Sequence, residues 1–263
     1  MPKAIFAGSL SFGLVNLPIK LYPATKARGT ALRTLHSSCH TPLQHKRWCP
    51  RCEKEVPLEE VEYGFELSKT RIVPLKEEEL LGIQPKKAKT IEIFTFVDPA
   101  SIDPLYPEAH YHAVPQEGGE RAFTLLREIL SLTNKVGVGK MTMRAREYVV
   151  VLRPYRQGLL LSTLHYQSEL VDPSELKELQ HLPLPTEKER ELARMLVEHL
   201  SGDFKPEEYR DTYKEALMEL VKRKMEGEPI PVMREEKKEA PMDLMKALEA
   251  SLAAARERKK ASD

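Results

Sequence analysis

Ala4–Thr25 reads AIFAGSLSFGLVNLPIKLYPAT, and this stretch sets the fold class. Gly8, Gly13 and Pro18 punctuate it. The pattern predicts two strands, AIFAGSLSF and GLVNLPIKLYPA, with bends at those three residues. The same reading continues downstream. TRIVPL is a short strand, followed by a helical turn at KEEELLG. TIEIFTFV, Thr90–Val97, is dense in β-branched and aromatic residues, which favour a strand. HYHAV is another short one. RAFTLLREILSLT places Ala122, Leu125, Leu126 and Ile129 at helical spacing, so one helix is expected against the sheet. VGVGKMTM, REYVVVLRPY and GLLLSTLHY predict a three-strand meander. Many short strands at this spacing point to a barrel or a sandwich.

From about Asp172 the pattern turns helical. TEKERELARMLVEHLSG opens on Thr186, an N-cap with Glu189 three residues on, as in a capping box. Leu192, Met195, Leu196 and Leu200 form its apolar stripe. A second helix is expected from Pro206 to Gly227, with a stripe of Tyr209, Tyr213, Leu217, Leu220 and Met225. Two amphipathic helices need a cover, either the β region or a second copy of the chain. EPIPVMREEKKEAP has the composition of a linker. MDLMKALEASLAAARERKK then gives a short helix with Leu244, Ala247, Leu248 and Leu252 on one face. A short apolar stripe beyond a linker is the signature of a partner-docking peptide.

The chain has 263 residues, 41% of them hydrophobic and 31% charged, enough for a core and a strongly charged surface. No apolar run is long enough for a membrane span, and the N-terminus lacks the pattern of a signal peptide. Three cysteines, two in a tight pair, do not form a secreted disulfide framework. The expectation is a cytoplasmic, nucleoid-associated protein without a membrane partner.

The formal net charge is +1, but its distribution is uneven. The first 52 residues contain no Asp or Glu and hold Lys3, Lys20, Lys26, Arg28, Arg33, Lys46, Arg47 and Arg51. Ile129–Ser168 sets one acid, Glu147, against Lys135, Lys140, Arg144, Arg146, Arg153 and Arg156. Binding depends on the local field and not on the sum. Two such segments predict one basic surface facing phosphates.

HSSCHTPLQHKRWCPRC, His36–Cys52, holds every cysteine of the chain. His36, Cys39, Cys49 and Cys52 make a four-ligand H-x2-C-x9-C-x2-C set, with His40 an alternative to His36 and His45 a further candidate. Such a closed set holds structural Zn2+. WCPRC also resembles a redox pair, which belongs at a helix N-terminus in a βαβ unit; here its flanks are basic and loop-like. No P-loop, GxSxG or HExxH occurs, so no catalytic residue is assigned. His110 and His112 alternate on a strand and share a face.

AIFAGSLSFGLVNLPIKLYPAT, YGFEL, IDPLYPEAHYHAVP, AFTLLREIL, REYVVVLRP and the tail DLMKALEASLAAA together resemble the bacterial Ku proteins, in order and over nearly the whole chain. The resemblance implies a mixed, mainly β fold: a Ku-type β-barrel core with a bridge encircling DNA, a small zinc-knuckle insertion and a C-terminal helical arm. The divisions expected are 1–170 for barrel and bridge, with the knuckle at about 34–55, 171–228 for a dimerisation arm, 229–241 for a linker and 242–263 for a basic docking tail. It further implies a non-enzymatic homodimer that rings double-stranded DNA ends without reading sequence. Such a ring recruits an ATP-dependent DNA ligase in non-homologous end joining.

By family position, Lys20, Lys26, Arg28 and Arg33 lead into the DNA-facing bore, and Lys140, Arg144 and Arg146 lie near the same surface. Lys46 and Arg47 join this DNA-binding set, and Leu244, Leu248 and Leu252 the partner-docking set. Phosphate contact suits such cations. Stacking platforms for single strands are not expected in a closed ring, and 6% aromatic content fits that. Two other classes compete. A zinc-containing single-strand binder or regulator would prefer single strands or a sequence. A thiol oxidoreductase would use Cys49 and Cys52 free of metal.

Overall fold

The structure, a computed structural model, describes residues 3–26, 32–83, 89–227 and 244–260, the last stretch with side chains for 245–254. Arg28, the linker at 229–241 and the Leu244 side chain lie outside the described part. The chain divides into two compact units, Met1–Asp172 and Pro173–Asp263.

In the first unit the elements are β1 (Phe6–Phe12), β2 (Val15–Pro23), β3 (Trp48–Cys49), β4 (Lys54–Glu55), β5 (Tyr63–Ser68) and β6 (Arg71–Leu75). After them come α1 (Glu77–Gly82), β7 (Thr90–Val97), β8 (Pro107–Pro115), α2 (Glu120–Thr133), β9 (Val136–Met143), β10 (Arg146–Tyr155) and β11 (Gly158–Leu164). Seven strands close a barrel in the order β1-β2-β8-β11-β10-β9-β7, which resolves barrel against sandwich. Only the closing pair β1–β7 is parallel.

Strand alternation explains the core. On β2, Leu17, Ile19 and Leu21 are fully buried, while Lys20 and Tyr22 take the outer side. Leu10, Ile91, Met141, Val150, Leu152, Leu159 and Leu161 fill the same interior. Phe123, Leu126 and Leu130 of α2 join them. This corrects the expected helix face: Leu125 is 60% exposed and Ile129 47%. Two apolar stripes lie side by side on α2, and helical spacing alone does not choose between them.

Of the three expected bends only Gly13 forms one, with φ 58. Gly8 lies within β1, and glycine is needed there because a Cβ would collide with the Lys89 carbonyl oxygen where the barrel closes. Pro18 lies within β2, and its carbonyl accepts a hydrogen bond from the Gln116 amide at 2.9 Å.

Between β2 and β7 the chain makes two separate two-stranded sheets, β3–β4 and β5–β6. Every residue of β5 is exposed. The insertion has no core of its own among the described residues.

The second unit carries α3 (Glu187–Leu200), α4 (Thr212–Glu226) and α5 (Leu244–Lys260). The capping box is present: the Thr186 amide donates to Glu189 Oε2 at 2.6 Å, and the Glu189 amide to Thr186 Oγ1 at 3.4 Å. α4 starts later than expected. Pro206 opens only a 3-10 turn, and Asp211 provides the N-cap by accepting from the Lys214 amide at 3.1 Å. Tyr209 therefore lies outside the helix, while Gly227 ends it with φ 74, as expected. α5 packs against α3; Leu252 is 6% exposed, and Ala247 and Leu248 are half-buried.

Candidate nucleic-acid interface

The predicted cations fall into two groups. Lys140 and Lys46 are already committed: Lys140 Nζ lies 2.8 Å from Glu147 Oε1, and Lys46 Nζ 2.6 Å from Glu55 Oε2. The Glu147 carboxylate raises the Lys140 pKa, so the charge is held but shared. Lys20, Lys26, Arg33, Arg47, Arg144 and Arg146 enter no ion pair among the described residues. Lys20 is half-buried on the outer face of β2, and Lys26 is exposed just beyond that strand. Arg33 and Arg47 are exposed on the insertion.

Arg144 and Arg146 stand at the β9–β10 turn. Met143 pairs with Arg146, which leaves Arg144 and Ala145 as the two turn residues, at φ 52 and 64. Tight hairpins that match strand twist need positive φ at both positions, a role Asn and Gly usually fill. The strained backbone here holds an arginine at the barrel end. The field of Arg144 reaches Tyr111, where it opposes the upward shift that burial imposes on the phenol.

The His/Cys candidates form two pairs and not one cluster. His36 Nδ1 lies 3.0 Å from Cys39 Sγ, in a loop closed by the His40 amide donating to the His36 carbonyl at 2.8 Å. Contacts with Thr41 and then His36 bring the Cys39 pKa from 9.0 to about 7. Cys49 ends β3 and Cys52 lies in the following turn, with no helix after it. Hydrogen bonds from the Cys52 amide and thiol lower the Cys49 pKa, and that same thiol contact raises Cys52. His40 and Glu53 both adopt left-handed backbone, at φ 53 and 50, so each pair sits beside a tight turn. Among the described residues no three His, Cys, Asp or Glu side chains converge as metal ligands.

An aromatic group outside the predicted set stands on the barrel's outer face. The His112 and Tyr155 rings lie 5.9 Å apart at 35°, and Arg156 Cζ is 5.4 Å from the Tyr155 ring centroid. Tyr22 pairs with His112 across β2–β8. The alternation of His110 and His112 is a partial signal of this face; the Tyr155 contact crosses strands and has no local signal.

Of the partner-docking set, the described Leu248 and Leu252 turn toward α3. No helix among the described residues is long and apolar enough to cross a membrane.

Residues 11–192 match the family model described as the Ku70/Ku80 beta-barrel domain. A protein of Archaeoglobus fulgidus, named Non-homologous end joining protein Ku, is 42% identical over 96% of this chain and 99% of its own length. A protein of the same name from Anaeromyxobacter is 40% identical over 98% of this chain and 88% of its own. One from Bacillus subtilis is 36% identical over 94% and 81%. The SPOC domain of human PHD-finger protein 3 covers 62% of this chain at 12% identity, with a TM-score of 0.31.

Proposed function

Because the chain belongs to the Ku family, we propose that it binds double-stranded DNA ends and acts in non-homologous end joining. In this reading two copies form a ring that threads onto an end without reading sequence. The observation that carries it is the set of cations without an ion pair among the described residues, on a barrel of this family: Lys20 on β2, Lys26 beyond it, and Arg144 and Arg146 at the β9–β10 turn. Charge without base-edge geometry suits phosphate, not sequence.

The dimer is supported by apolar surface that the first unit leaves open. Tyr63, Phe65, Leu67 and Ile72 on the β5–β6 hairpin are 58–65% exposed. A two-stranded hairpin alone is marginal in water, so a second copy is its natural cover. A groove of about 470 Å³, lined by Phe12, Phe96, Leu125 and Ile129 among others, adds further apolar surface. In the second unit, Tyr213 and Met225 of α4 are 65% and 84% exposed.

Blunt linear duplex and a covalently closed circle of the same sequence, compared in a gel shift, test the reading. Preference for the linear form is expected, with an affinity that falls steeply with salt, at a log-log slope of about −0.9 per neutralised phosphate. Equal binding to both forms contradicts threading.

Recruitment of an ATP-dependent DNA ligase through α5 is part of the same proposal. The stripe containing Leu248 and Leu252 rests on α3, so docking requires α5 to leave it. Removing everything after Pro241 is expected to keep end binding and abolish ligase stimulation; surviving stimulation rejects the assignment.

A structural zinc ion is likewise a proposal, in which the ion draws the His36/Cys39 and Cys49/Cys52 pairs together. Two pairs, each beside a tight turn and with one thiol of lowered pKa apiece, suit a thiolate-binding ion. One equivalent released on denaturation supports it, and metal-free protein with full end binding rejects it.

A further inference from the structure

The two acid-poor segments of the sequence meet on one patch of the barrel. β2 brings Lys20 and Tyr22 from the first, and β10 and its turn bring Arg153, Tyr155 and Arg156 from the second. β8 and β11 lie between them. The register is explicit: Lys20 pairs with Val114, Tyr22 with His112, His112 with Leu160, Leu160 with Arg153 and Tyr155 with Gly158. No Asp or Glu stands among these positions. Gly158 presents no side chain, so the Tyr155 ring crosses β11 to reach His112, at 5.9 Å.

Three features set the patch apart from ordinary cross-strand packing. Tyr155 is 41% exposed and His112 is exposed, so ring surface stays open to solvent. Arg156 lies 5.4 Å from the Tyr155 ring on a residue held at φ 50, a conformation that costs energy for a non-glycine residue. Arg153 Nε is buried with no hydrogen-bond partner among the described residues. Lys26, exposed, follows Tyr22 by four residues, just past the end of β2. Aromatic faces beside cations are the chemistry that takes unpaired bases and their phosphates.

We propose that Tyr22, His112 and Tyr155, flanked by Lys20 and Arg156, form a stacking seat for unpaired nucleotides of a single-stranded extension at a DNA end. The inference rests on the end-binding reading. It adds that the protein distinguishes extended from blunt ends, and it revises the expectation that no such platform exists.

The test uses the full chain and one duplex, either blunt or with a single-stranded extension of about ten nucleotides carrying 2-aminopurine. The unsubstituted protein is expected to quench the 2-aminopurine by stacking. Tyr155→Leu is expected to weaken binding of the extended end roughly five- to tenfold, with a change under about twofold for the blunt end. Tyr155→Phe keeps the ring and is expected to keep the preference. His112→Gln reports independently if Tyr155→Leu does not fold. Unchanged 2-aminopurine emission, or equal losses on both ends, overturns the proposal. Linear-over-circular preference in the unsubstituted protein shows separately whether the end-binding reading stands.

Discussion

The barrel and the insertion between β2 and β7 are neighbours in sequence built under opposite rules. In the barrel, Leu17, Ile19, Leu21, Ile91 and Leu161 are each 0% exposed, and hydrogen bonding closes the sheet on itself. In the insertion, no described residue from 32 to 83 is buried, and its two small sheets expose apolar and charged side chains alike. The barrel carries its own stability. The insertion has no core of its own among its described residues, and in the proposed reading a second copy, DNA or an ion at the His/Cys pairs would supply its order.

The largest expected effect breaks the barrel side of this contrast. Leu161→Ala is expected to cost about 2–5 kcal/mol in urea unfolding, since a fully buried leucine leaves a cavity. Phe65→Ala on the hairpin is expected to stay within about 0.5 kcal/mol in the unfolding of isolated chains, yet to weaken self-association measured by sedimentation. Equal costs in unfolding would dissolve the distinction.

A second prediction sharpens the charge assignment. Replacing Arg144 and Arg146 together by Ala is expected to reduce the salt slope of DNA binding by about 0.9 for each phosphate that is no longer neutralised. Lys140→Ala is expected to change it less, because Glu147 already shares that charge.

In the second unit, Thr186→Ala is expected to cost about 1 kcal/mol through loss of the α3 cap, read as lower helix content on urea titration. Hydrogen bonds from Thr186 hold the Glu189 pKa below its ordinary 4.5. A depressed carboxylate contributes fully above 4.5 and loses its contribution as pH falls through the lowered value. Acid titration of Glu189→Gln should therefore lack the part of the helix loss that the parent chain shows below pH 4.5.

The smallest effect concerns reactivity. With its pKa near 7, Cys39 is expected to react with iodoacetamide ahead of Cys52, with a rate that rises through pH 7. Bound zinc would silence both.

The same contrast explains what the sequence disclosed. The barrel strands are legible because β-branched and apolar runs at Thr90–Val97, Arg146–Tyr155 and Gly158–Leu164 favour extended backbone with at least one face in the core. Thr186 and Glu189 are legible because a capping box is local. The face of α2 is not, since Phe123, Leu126 and Leu130 compete with Leu125 and Ile129 for one helical period. β5 does carry the alternating signal, Tyr63, Phe65 and Leu67 against Gly64, Glu66 and Ser68, yet both of its faces are exposed, so the pattern does not report a core. Among the site residues, the acid-free segments locate the cations, but not which are already paired: Lys46 finds Glu55 through the β3–β4 hairpin, and Lys140 finds Glu147 across β9–β10. Tyr155 meeting His112 depends on the barrel order, which no window of sequence contains.

The most direct measurement of the central claim is topological. The protein is loaded onto linear duplex, the ends are then ligated into a circle, and the complex is challenged with high salt. A threaded ring is predicted to remain on the circle under salt that strips unligated DNA, and to leave once a nuclease linearises it. Salt release at the same rate from circle and linear DNA would contradict the ring.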